Sequence, residues 1–184
     1  MDLEQKVAVI TGSSSGVGAS LAKKFAAAGA KVVINYSQSA EAAEAVLQDV
    51  QRAGGEGIVV QGDVGDENAC AAIVQAAVST FGRLDVLINN AGTTTFVPHH
   101  ELDQLTEEIW LRTLRVNLMG AFFMSRAAAP HMRVAGGGEI VMTSSIASFT
   151  ANGSSMAYCA SKAGLNSLTR TLAKTLGADS IRVN

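Results

Sequence analysis

Lys6-Val7-Ala8-Val9-Ile10-Thr11-Gly12-Ser13-Ser14-Ser15-Gly16-Val17-Gly18 is the stretch that decides how the rest of the chain is read. Its first six residues form a short, apolar, β-branched run, the pattern of a strand buried on both faces of a parallel sheet. The glycines that follow let the backbone turn tightly, and residues 19–28 read as a helix closed by Gly29-Ala30. Strand, glycine turn and helix in that order make a phosphate-binding arrangement. The helix N-terminus offers free N–H groups and partial positive charge. The spacing Gly12-x-x-x-Gly16-x-Gly18 has a longer first gap than the commoner G-x-G-x-x-G fingerprint.

Outward from this stretch the same alternation repeats. Strands are expected at residues 31–35, 56–61, 86–89 and 139–143, with a sixth opening at 181–184. Helices are expected at residues 40–52, 66–81, 106–132 and from Tyr158 to about 176, with a polar stretch at 93–104 that carries two of the three histidines. Strands alternating with helices imply right-handed crossovers and an α/β fold: a Rossmann-type, doubly wound parallel sheet with helices on both faces. A sixth strand with no helix after it would stand uncovered at the sheet edge. The sequence is therefore expected to lack the C-terminal part of its architecture.

The bulk numbers narrow the function classes. A length of 184 residues with a hydrophobic fraction of 48% suits one domain, residues 1–184, with a full core. The net charge of −2, with scattered basic residues, gives no footprint for nucleic acid or an anionic membrane. Cys70 and Cys159 have neither disulfide nor zinc spacing, so no metal is expected and a reducing compartment is. The polar start from Met1 to Lys6 is not a signal peptide, and no apolar run approaches the ~20 residues that span a bilayer. The cytoplasm is the expected location.

Tyr158 and Lys162 lie four residues apart and share one face of their helix. An ammonium one turn away favours the phenolate over the phenol, and a tyrosine so tuned is an acid/base group. Taken with Thr11 to Gly18, Asn89-Asn90-Ala91-Gly92 and Ser145, this pair resembles the short-chain dehydrogenase/reductase family over essentially the whole chain. The likeness is to its 3-oxoacyl-carrier-protein reductase and glucose dehydrogenase branch.

The resemblance implies an NAD(P)-dependent enzyme acting on a small carbonyl or alcohol substrate, paired as a homodimer or homotetramer. It implies that Gly12, Gly16, Val17 and Gly18 shape a pyrophosphate site, with Ser14 and Ser15 on phosphate or ribose. Asp63 and Val64 would meet the adenine, and Asn90, Ala91 and Gly92 would border the nicotinamide ribose. Ser145, Tyr158, Lys162 and Asn117 would form the catalytic set, with Lys162 also on the ribose and Asn117 keeping a water in place. The second strand ends at Asn35-Tyr36-Ser37 without an acid, which favours NADP over NAD. The glycine loop, for its part, has Ser15 and no arginine or lysine.

Plainer readings stand beside these. Ser144 and Ser145 end a strand, and Asn117 is a buried amide bridging two helices. Cys159 is a packed thiol, Trp110 is core, and His99 and His100 are loop residues without a ligand-spaced partner. A different class of protein, a catalytically silent nucleotide-binding regulator or scaffold, would share the fold and the glycine turn.

Overall fold

The computed structural model describes residues 3–184, so the Met1-Asp2 start lies outside the described residues. Six parallel strands, β1 (Val7–Ile10), β2 (Lys31–Tyr36), β3 (Glu56–Gln61), β4 (Val86–Asn89), β5 (Gly138–Met142) and β6 (Ile181–Val183), lie in the order β3-β2-β1-β4-β5-β6. The register runs Val9 beside Val33 and Leu87, with Ile140 beside Leu87 and Val183. The chain therefore leaves β1 in one direction to lay β2 and β3, then returns to start β4 on the other side. That reversal opens a crevice at the C-terminal ends of β1 and β4.

Alternate residues of each strand feed two cores. Val7, Val9, Val33, Leu87, Ile140 and Ile181 face α3 (Glu67–Phe81), α5 (Ala121–Val134) and α7 (Met156–Leu176). Ala8, Ile10, Val32, Ile34, Val86 and Ile88 face α1 (Gly16–Ala27) and α2 (Ala40–Arg52). Both faces being covered explains why the strands read as continuous apolar runs.

Three local departures from the sequence expectation have physical causes. The first helix begins at Gly16 rather than at residue 19, so Gly16, Val17 and Gly18 are its first turn and not loop. The long helix is not uniform: α4 (Glu107–Leu114) passes through a π-helical turn at Arg115–Gly120 before α5 begins. A short helix, α6 (Ala147–Thr150), follows β5 and ends at Ala151 with φ +51°. The expected bareness of the last strand also needs correction. Ile181 and Val183 are buried against α7, while Arg182 and Val141 face a groove of about 340 Å3 that no helix fills among the described residues.

The start of the sheet is pinned by a buried acid. Asp85, only 4% exposed, accepts from the Val7 N–H at 3.0 Å and from Arg83 at 2.8 and 2.6 Å, with Lys6 Nζ at 3.4 Å. Burial pushes its carboxyl up. The Arg83 guanidinium, the Val7 N–H and Lys6 outweigh that and hold it below the usual carboxylate range.

Candidate active site

Thr11 and Asn35 build the floor of the crevice. Thr11 Oγ1 accepts the N–H groups of Asn90 and Ala91, both at 3.0 Å, and so ties the end of β1 to the end of β4. Asn90 answers by donating to the carbonyls of Thr11 and Gly12 at 2.9 and 3.1 Å. Asn35, 1% exposed, accepts the Gly12 N–H at 3.1 Å and donates to Gly62 O at 3.0 Å. Four segments are thus locked where the sheet order reverses.

The glycines have distinct jobs. Gly12 has φ +61°, and a Cβ there would sit 2.9 Å from Ala91 Cα. Gly12→Ala is expected to cost about 1–2 kcal/mol, read from the urea midpoint, because both the left-handed backbone and the contact oppose it. A Cβ at Gly18 would meet Gly12 O and Asn90 Nδ2 at 2.6 Å, so this glycine seats α1 against the turn. Gly16 has φ +57° and open space around it.

The crevice holds about 610 Å3. Of the expected cofactor-site residues, Gly12, Ser14, Ser15, Val17, Tyr36, Ser37, Asp63, Val64, Asn90, Ala91 and Gly92 line it. Gly16, Gly18, Tyr158 and Lys162 do not. The two glycines act from within the helix, and Lys162 Nζ comes within 3.8 Å of where a Cβ on the lining residue Gly92 would stand. Sequence reasoning missed Asn35, Thr93 and Arg112, which also line the space. Arg112 reaches over from α4 to pair with Asp63 at 2.7 Å. Burial pushes Asp63 up, but Arg112 and the Gly65 N–H outweigh it and hold the carboxyl below its usual range.

The fit to a diphosphate shows in what α1 lacks. Helices α3, α4 and α7 each begin on a side chain that accepts a first-turn N–H, Asp66, Thr106 and Ser155, while α2 begins on Ser39 without such a bond but has Glu41 in its first turn. At the start of α1, Ser15 makes no such bond and no acid stands in the first turn. The N–H groups and positive end of α1 are left facing the crevice, which suits an anion.

The second half of the site comes from α7 and β5. Lys162 is buried at 4% exposure, and its Nζ donates to Thr143 O at 2.6 Å. That ammonium lies 5.6 Å from the centre of the Tyr158 ring and 3.8 Å from where a Gly92 Cβ would stand. Burial pulls the Lys162 pKa down from the usual lysine value. Tyr158 is half-buried, in the first turn of α7, where its N–H reaches Ser155 Oγ at 3.4 Å.

Ser145 is half-buried just after β5, and its Oγ accepts the Ala147 N–H at 3.2 Å. Its segment is braced from α7 by Asn166, another residue the sequence did not flag. Asn166 accepts from Ser144 Oγ at 2.6 Å and donates to Ser148 Oγ at 2.8 Å, and Ser148 Oγ donates to Ser145 O at 2.6 Å.

Asn117 lies in the π-helical turn and is 2% exposed. Its Oδ1 accepts the Thr93 N–H at 2.7 Å, and its Nδ2 donates to Thr93 O at 2.9 Å and Ser161 Oγ at 3.0 Å. Both amide hydrogens are engaged. The side chain joins the loop after β4 to α7. Cys159 and Ser154 are buried, and His99 Nε2 donates to Ser154 O at 2.7 Å, so that histidine is a loop tether.

A sequence model described as short chain dehydrogenase matches residues 6–184. The granaticin polyketide synthase ketoacyl reductase 2 of Streptomyces violaceoruber is 41% identical over 98% of this chain and 71% of its own. A short-chain dehydrogenase/reductase of Burkholderia xenovorans superposes with TM-score 0.93 at 41% identity, over 97% of this chain and 74% of its own. A short chain dehydrogenase of Burkholderia cenocepacia, solved in complex with NADP, does so with TM-score 0.91 at 39% identity, over 100% and 74%. By that match over residues 6–184 and these likenesses, the chain belongs to the short-chain dehydrogenases, a family of oxidoreductases.

Proposed function

We propose that this protein binds a nicotinamide dinucleotide in the crevice over β1 and β4, NADP(H) in preference to NAD(H), and interconverts a small carbonyl compound and its alcohol. The observation that carries this reading is the place of the Lys162 ammonium. It lies 3.8 Å from where a Cβ on the crevice-lining Gly92 would stand and 5.6 Å from the centre of the Tyr158 ring, so one fixed charge is near both the binding space and the phenol.

When bound, the dinucleotide supplies or accepts the hydride. The protein does the rest. The Tyr158 hydroxyl gives a proton to the substrate carbonyl oxygen in reduction and takes it from the alcohol in oxidation. Lys162, anchored through one hydrogen to Thr143 O, keeps its other two N–H groups for the phenol side and for ribose hydroxyls. Ser145 Oγ holds the carbonyl oxygen and stabilises charge that develops there. Asn117 holds Thr93 and Ser161 in place, fixing the loop beside Gly92 and the Tyr158 helix relative to each other. Gly12, Gly16, Val17 and Gly18 shape the diphosphate seat, with Ser14 and Ser15 at its mouth. Tyr36, Ser37, Asp63 and Val64 take the adenosine end, and Asn90, Ala91 and Gly92 the nicotinamide ribose.

Preference for NADP(H) is supported by the end of β2. Tyr36 and Ser37, with Gln38 and Ser39 beyond them, line the crevice without a carboxylate that would repel a 2′-phosphate. The NADP-bound relative points the same way. A panel of carbonyl compounds and secondary alcohols, run with NADPH and NADH, tests the whole reading. Turnover with the higher kcat/KM for NADPH is expected. A strong NADH preference overturns the cofactor choice. Saturable dinucleotide binding without turnover of any substrate overturns the enzymatic reading in favour of a silent regulator.

A further inference from the structure

Among the described residues, one cation and one anion line the crevice: Arg112 from α4 and Asp63 from the turn after β3. They pair directly, Nη1 to Oδ2 at 2.7 Å, and the other oxygen of Asp63 accepts the Gly65 N–H at 2.8 Å. The fold does not depend on this pair. Arg115, one turn on, already grips the same turn through Gly65 O at 2.8 Å. Both side chains of the Arg112–Asp63 pair are more than 40% exposed, where an ion pair adds little stability. What the pair does alter is the charge presented to a ligand. The rest of the lining is uncharged, with Ser14, Ser15, Ser37, Gln38 and Ser39 among it. Among the residues that line the space, an unpaired Asp63 would be the one full charge left facing a polyanion.

We propose that Arg112 sets how much negative charge the crevice tolerates: by neutralising Asp63 it admits a 2′-phosphorylated dinucleotide, and the preference for NADP(H) depends on it. The inference rests on the dinucleotide reading above and extends it to a residue outside the glycine turn and outside the end of β2. Repulsion from a bare Asp63 carboxylate grows with ligand charge, so the extra phosphate of NADPH suffers where NADH suffers less. With the effective dielectric constant of about 20 that holds near a protein surface, and at separations near one Debye length, the extra phosphate loses about five-fold in affinity.

The test is a set of dissociation constants for NADPH and NADH, read from the fluorescence of the bound dinucleotide. The proteins are the full chain, Arg112→Gln, and the double variant Arg112→Gln with Asp63→Asn. Arg112→Gln is expected to lower the NADPH-over-NADH affinity ratio about five-fold, by less at higher salt. The double variant is expected to return the ratio to that of the unsubstituted chain. Since Asp63 faces both dinucleotides alike, the ratio isolates the charge effect from any shared loss of adenosine contacts. An unchanged ratio in Arg112→Gln overturns the inference and leaves the dinucleotide reading standing. So does a ratio that stays low in the double variant, which would put Arg112 on the ligand itself. Failure of the unsubstituted chain to bind either dinucleotide overturns the underlying reading.

Discussion

Tyr158→Phe is expected to lower kcat by ~10²–10⁴ while the dissociation constant for NADPH stays within a few-fold of the unsubstituted chain. The change removes one oxygen and leaves the ring. The ring is half-buried, and the helix start around it is set by backbone bonds and by Ser155, so the fold should persist. The Lys162 ammonium is held by Thr143 O, not by the phenol, and it stays where it is near Gly92. The crevice lining does not include Tyr158, which is why binding and turnover should separate. Equal losses in binding and turnover would mean the hydroxyl supports the site only structurally.

Asp85→Ala should cost about 2–4 kcal/mol of stability near neutral pH. The substitution strands the buried N–H of Val7, the first residue of β1, and releases Arg83 from both its bonds. The pH dependence carries a definite sign. The folded carboxyl lies below its usual range, so its contribution is complete above the unfolded pKa of about 4 and is lost as pH falls through the folded value. Urea midpoints of the two proteins should therefore differ widely at pH 7 and converge as the pH drops well below 4. A gap that persists unchanged in acid would show that the charge on Asp85 is not what matters.

The elements whose limits are set locally were legible in the sequence. Residues 40–52, 56–61 and 86–89 are a helix and two strands with the expected bounds. Gly54 turns the chain between the first two at φ +82°. The start of α1 was hidden because Gly16 and Gly18 look like loop. The helix can start there because Gly18, without a Cβ, lets it pack against Gly12 O and Asn90. The π-helical turn could not be read from spacing. It is tied to bonds from Asn117 to Thr93 and Ser161, partners 24 and 44 residues away.

The candidate site divides in the same way. Residues with a special chemistry or backbone, such as Gly12, Tyr158 and Lys162, announced themselves by type and order. Those that hold them did not. Thr11 works through Asn90, 79 residues on, and Arg112 through Asp63, 49 residues back. Asn166 braces Ser144, 22 residues back. Only the sheet order β3-β2-β1-β4-β5-β6 brings such pairs to one edge. The absence of a capping side chain at Ser15 is likewise a fact of geometry, since serine is a common cap and reads as one.

A crystal structure of the chain grown with NADP+ tests the central claim most directly. The diphosphate is expected at the uncapped start of α1, the adenosine end between Ser37 and Asp63, and the nicotinamide ribose at the Lys162 amine, with the ring turned toward the Tyr158 hydroxyl. A dinucleotide lodged elsewhere, or one in the crevice whose nicotinamide points away from Tyr158 and Ser145, would contradict it.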